Sequence, residues 1–102
     1  MYLIQILLPL RNNNGQQFSK QTFNEVREHL LKNFGGVTIY NRNPATGLWG
    51  DSQGETEKDE VIIFEVMISS VNHAWWKKYR GELENKFQQD EIIIRSIALE
   101  KL

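Results

Sequence analysis

From residue 2 to residue 10, apolar side chains recur at every second position, Tyr2, Ile4, Ile6, Leu8 and Leu10, with Leu3, Gln5 and Leu7 between them. Successive residues of a strand point to opposite faces, so this spacing predicts a central strand with one face fully buried. Pro9 lacks a ladder donor, and sheet pairing is expected to fade there into the turn-forming run Arg11-Asn12-Asn13-Asn14-Gly15. The period then changes. Phe23, Val26, Leu30, Leu31 and Phe34 fall at helical spacing behind Ser19, a good N-cap, with Phe18 and Phe23 placed to staple the first turn. Glu28 precedes Lys32 by four residues, and Gly35-Gly36 supplies a left-handed stop.

Residues 37–42 are β-branched and aromatic enough for a second strand, closed by Asn43-Pro44. Leu48 and Trp49 are read as resuming that strand, so that 43–60 forms a long hairpin reversing at Asp51-Ser52-Gln53-Gly54. Residues 60–68 are the strongest strand in the chain, interrupted only by Glu65. Asn72 caps a second helix in which Trp75, Tyr79, Leu83 and Phe87 stack at four-residue spacing while Trp76 widens the stripe. Lys78 with Glu82, Arg80 with Glu84 and Glu82 with Lys86 are expected to lace its outer face, each pair contributing about 0.2–0.5 kcal/mol. Residues 92–99 close the chain as a fourth strand.

The order is therefore βαββαβ. Two crossover units joined by a hairpin satisfy the right-handed rule when the strands lie in the order 4-1-3-2 with both helices on one face. This is the ferredoxin-like sandwich, an α+β fold with a four-stranded antiparallel sheet. Strand parity turns Ile4, Ile6, Leu8, Phe64, Val66 and Ile68 toward the helices, together with Ile94, Ser96 and Ala98, whose small members leave room for the helices. The opposite face carries Leu3, Gln5, Leu7, Ile63, Glu65, Met67, Ile93, Arg95 and Ile97. Most of it is apolar, more than a soluble monomer normally leaves in water, and a homodimer through this open face is the expected cover.

Composition narrows the function classes. At 102 residues the chain has the size of one domain. A formal net charge of -1 gives no global field to draw it onto nucleic acid or an anionic membrane. RNA-recognition modules share the strand order but need stacking aromatics on the open face, and Phe64 has core parity. The absence of cysteine excludes disulfides, thiolate metal sites and cysteine nucleophiles, and suits the cytoplasm. The apolar N-terminus has no basic residue ahead of it and reads as a strand rather than a leader; no stretch has the roughly 20 apolar residues of a membrane span.

With this order of elements, and a long hairpin running from Thr38-Ile39-Tyr40 through Gly47-Leu48-Trp49-Gly50-Asp51 to Val61-Ile62-Ile63-Phe64-Glu65, the chain resembles the small ferredoxin-like proteins of the dimeric α+β barrel kind. It looks closest to short members of unknown function. The superfamily includes small monooxygenases, isomerases and stress-response proteins. The resemblance implies a dimer and a pocket between sheets; it carries no catalytic motif.

Candidate site residues follow from placement. Gln5, Glu65 and Arg95 share the open face on three adjacent strands, where they form either a ligand-orienting cluster or a structural bridge that sets the register of a dimer. The structural use is favoured. His73 lies in the first turn of the second helix, where the helix N-terminus disfavours its charged form; a solvent-facing histidine is the more common case. His29 is expected on the flank of the first helix. With only two histidines, no metal centre is expected, and no cofactor. Trp49, between glycines and without a core position, is an interface or ligand candidate. Arg11 precedes an asparagine-rich loop that has the arginine of an acylphosphatase-type anion loop without its glycine pattern. The leading expectation is a dimeric structural or small-ligand-binding protein, whose paired sheets enclose a small apolar ligand. The alternative is a cofactor-independent enzyme of the monooxygenase or isomerase type using His73, Arg95 or Glu65.

Overall fold

The structure, a computed structural model, describes residues 1–42 and 60–102. The elements are β1 (Tyr2–Pro9), α1 (Lys20–Phe34), β2 (Thr38–Arg42), β3 (Val61–Ile68), α2 (His73–Lys86) and β4 (Ile93–Ala98). One antiparallel sheet takes the order β2-β3-β1-β4, so the ferredoxin-like topology holds. Leu48, Trp49 and the hairpin reading of 43–59 lie outside the described residues.

Strand parity places the core. Ile4, Ile6, Leu8, Phe64 and Val66 meet Val26 and Leu30 of α1 and Trp76, Tyr79 and Leu83 of α2 in a single buried cluster. Its filling is aromatic. Phe23 stacks on Phe64 at 6.4 Å and lies 5.5 Å from Phe87, and Phe18 meets Phe23 at 6.4 Å, the staple expected at the start of α1. Between the helices, Phe34 stacks on Trp76 at 5.3 Å and meets Trp75 edge-on at 5.1 Å. Both tryptophans of α2 thus belong to helix packing.

The caps explain why the helices stop and start where they do. Ser19 accepts from the Thr22 N–H and Asn72 from the Trp75 N–H. Gly35 ends α1 in the left-handed region, its N–H bonded to the Leu31 carbonyl. α2 ends in the same way without a glycine. Gln88 has φ 56°, its N–H bonds the Asn85 carbonyl at 3.3 Å, and the Gln89 N–H bonds the Glu84 carbonyl at 2.9 Å, which is a Schellman motif. A left-handed non-glycine residue costs about 1–2 kcal/mol, against about 0.5–1 kcal/mol of extra chain entropy for glycine. Gln88→Gly is therefore expected to raise the denaturation free energy by about 0.5–1 kcal/mol, measurable by urea titration.

Several sequence expectations need correction. Pairing does not fade at Pro9, which stands opposite Val61, and the Leu10 N–H still reaches the Glu60 carbonyl at 3.2 Å. Since the Leu10 N–H points toward β3, the missing Pro9 donor would have pointed the other way, where pairing with β4 has already ended at Leu7–Ile93. The proline therefore costs no ladder bond. Ser96 and Ala98 have helix-side parity but are exposed, and Ile94 is only half-buried. Ile94 and Ser96 border a cleft rather than a close-packed seam. Of the charge pairs expected along α2, Arg80–Glu84 forms at 3.7 Å, whereas Lys86 turns to Glu25 of α1 and ties the helices together. Glu28 pairs with its neighbour Arg27 at 2.8 Å rather than with Lys32.

Candidate functional site

The open face is organised by register. Gln5 stands opposite Glu65 on one side and Arg95 on the other, and Thr38 opposite Glu65 brings β2 into the same line. The Gln5 amide lies between opposite charges and is oriented by both. Arg95 Nε donates to Gln5 Oε1 at 2.8 Å, and Gln5 Nε2 donates to Glu65 Oε2 at 2.6 Å. Tyr40, one step along β2 on the same face, donates its hydroxyl to the same Glu65 oxygen at 2.6 Å. The result is a directional row, positive at β4 and negative toward β2. Gln5 is 9% exposed and is the buried polar residue among those described. Its amide uses both ends, so desolvation is matched by charge-assisted bonds.

Around the row the face is apolar and open. Met67 is 54% exposed, Ile93 51% and Ile97 44%. Leu3 and Leu7 are half-buried between them. Ile63 differs, fully buried between Leu7 and Tyr40 in the register.

Gln5, Glu65 and Arg95 are thus brought together, while His73 is not with them. It opens α2 on the helix side and lines a cleft of about 320 Å³ with Ile4, Val71, Trp76, Lys77, Arg80, Ile94, Arg95 and Ser96. An acid-base set of His73 with Glu65 is therefore not assembled on one face. Trp49 falls outside the described residues. His29 is more than a flanking residue: its ring stacks on Tyr79 at 4.7 Å and on Trp75 at 5.7 Å. Arg11 is engaged by Glu60 at 3.4 Å, and the Asn12 side chain accepts from the Asn14 and Gln16 N–H groups, closing its own turn. Arg11, Asn12 and Glu60 border a second, larger cleft of about 550 Å³ that also takes in Glu91 and Gln89.

Tyr40 is the member of the row that sequence reasoning missed. Its signal was the alternation of Thr38 and Tyr40, which acquires meaning only once the β2–β3 register is known. Among the described residues, two titratable side chains are displaced from their ordinary values. Burial, with Glu82 adding repulsion, pushes the Tyr79 phenol up, so it stays neutral through the physiological range. A hydrogen bond from Lys86, with Gln21 contributing, lowers the Glu25 carboxyl. Among the described residues, no group of three or more His, Asp or Glu is placed to hold a metal ion, and no helix is long and apolar enough to cross a membrane.

Comparison with solved structures places the fold. The chain is similar to CutA1 from Pyrococcus horikoshii, at 13% identity and a TM-score of 0.57, over 100% of this chain and 86% of that one. A substituted form of CutA1 from strain OT3 of the same organism superposes equally well, at 14% identity. A phage SAM lyase in complex with S-methyl-5'-thioadenosine matches with a TM-score of 0.60 at 10% identity, over 94% of this chain and 79% of that one. At such identities the likeness is one of fold. No protein-family model matches the chain, and no curated protein matches it in sequence.

Proposed function

We propose that this chain is a single-domain, cytoplasmic homodimerisation module of structural or small-ligand-binding type, two copies of which join through their open sheet faces. The observation that carries this reading is the Arg95–Gln5–Glu65–Tyr40 row set among Met67, Ile93 and Ile97. An apolar field of this kind fits an interface core, and the row supplies the register. Self-complementarity favours a second copy as the occupant. A two-fold axis lying between the two faces and perpendicular to the row brings the faces together and inverts the direction of the row, so the positive β4 end of one copy approaches the negative end of the other. Arg95 keeps its two Nη groups, and Glu65 its Oε1, without a protein partner among the described residues, which leaves both ends of the row able to bond across the axis. Apolar space left between the paired sheets would suit a small apolar ligand.

Light scattering on the eluting chain at micromolar concentration tests this. A mass of about 24 kDa, twice the 12.0 kDa chain, is expected. A mass of about 12 kDa that does not rise with concentration would exclude the reading.

A further inference from the structure

The cleft between α2 and β4 has a composition that the open face does not share. Its floor is apolar and aromatic: Ile4 and Trp76 are buried, and Val71 and Ile94 half-buried. Its rim is basic. Lys77 and Arg80 rise one turn apart on α2 and His73 begins that helix; Arg95 borders the cleft from the facing strand, with its guanidinium turned to Gln5 on the open face, and no carboxylate among the described residues lines the cleft. In a chain of net charge -1 this is a local concentration of cations. Arg80 is partly engaged by Glu84 at 3.7 Å, while the side chains of Lys77 and His73 have no hydrogen bond or ion pair among the described residues. The start of α2 adds its own partial positive charge. Ser96 places a hydroxyl at the lip.

We propose that this cleft binds a small organic anion, an oxyanion head on a flat apolar body. The head sits between Lys77 and Arg80, where the guanidinium offers a fork of donors and the ammonium a mobile point charge. The body lies over Trp76 and Ile94. A volume of about 320 Å³ matches a body of one or two fused rings and sits at the lower end of small-molecule sites. Carboxylate and phosphate heads share this chemistry. The site is independent of self-association, since only Arg95 belongs to both surfaces.

The test is a titration of the nitrogen-15-labelled chain with 1-naphthyl phosphate and, separately, 1-naphthoate, followed by amide chemical shifts. Saturable shifts confined to residues 71–80 and 94–96 are expected with at least one probe, and whichever binds tighter identifies the head. Inorganic phosphate and 1-naphthol alone are expected to bind at least tenfold more weakly. K77A combined with R80A should weaken binding at least tenfold, while Lys77→Arg should retain it. Ser96→Glu, an exposed change on the other wall, should abolish it by repulsion. The proposal is overturned if neither probe gives saturable shifts by 10 mM, if the shifts map to the open face, or if the Ala pair and Ser96→Glu bind as tightly as the parent. Light scattering reads self-association separately, so failure of either idea is visible without the other.

Discussion

Replacing Phe64 by alanine is expected to destabilise the fold by about 3–5 kcal/mol, the usual cost of removing a buried aromatic ring. Phe64 is fully buried in the middle of β3, opposite Ile6 of β1 and Ile39 of β2. Its ring stacks on Phe23, which in turn meets Phe18 and Phe87. The deletion therefore removes the floor of an aromatic cluster that joins the sheet to α1 and to the end of α2. Collapse into the gap is limited, because the neighbours above and below it are strand residues held by ladder bonds on both sides. A domain of this size has a total stability of about 5–15 kcal/mol, so the loss is a large fraction of it. Urea denaturation followed by circular dichroism measures the effect; a change under about 1 kcal/mol would mean that Phe64 does not sit in a close-packed core.

The second large effect concerns assembly rather than folding. Ile93→Glu combined with Ile97→Glu is expected to weaken self-association at least 100-fold while leaving monomer stability within about 1 kcal/mol. Both side chains are about half exposed on the edge strand β4, so little of the monomer core depends on them. In the dimer each loses its apolar contribution of about 1.5–3 kcal/mol, and each introduces a carboxylate that costs several kcal/mol when buried without a partner. A two-fold interface counts every substitution twice. Sedimentation equilibrium of the parent and the variant separates the outcomes, and an unchanged dissociation constant would remove β4 from the interface.

These predictions rest on parts of the molecule that were unequally legible in the sequence. Strand parity in β1 and β3 was readable because successive side chains of a strand point to opposite faces, so the core face and the alignment of Gln5 with Glu65 and Arg95 followed from counting. Ser19 and Gly35 were readable as caps because their chemistry is local. The end of α2 was not, because Gln88 adopts a glycine-like conformation that composition does not signal. Lys86 was assigned to its own helix, although its partner Glu25 lies 61 residues away on α1, a contact that depends on how the helices dock. For the same reason the grouping of Lys77 and Arg80 with His73, Arg95 and Ser96 had no linear signature. The ferredoxin-like order was legible and is shared with CutA1 and the SAM lyase; it says nothing about chemistry, since one fold hosts many functions.

Association through the open face is tested most directly by contacts between copies. An equimolar mixture of carbon-13-labelled and unlabelled chain, re-equilibrated and examined by isotope-filtered nuclear Overhauser spectroscopy, reports only protons within about 5 Å across the interface. Cross-peaks between copies from the methyl groups of Met67, Ile93, Ile97 and Leu3 are expected. A dimer whose cross-peaks arise instead from α1, α2 or the cleft between α2 and β4, or a sample with no cross-peaks between copies at millimolar concentration, would contradict the assignment.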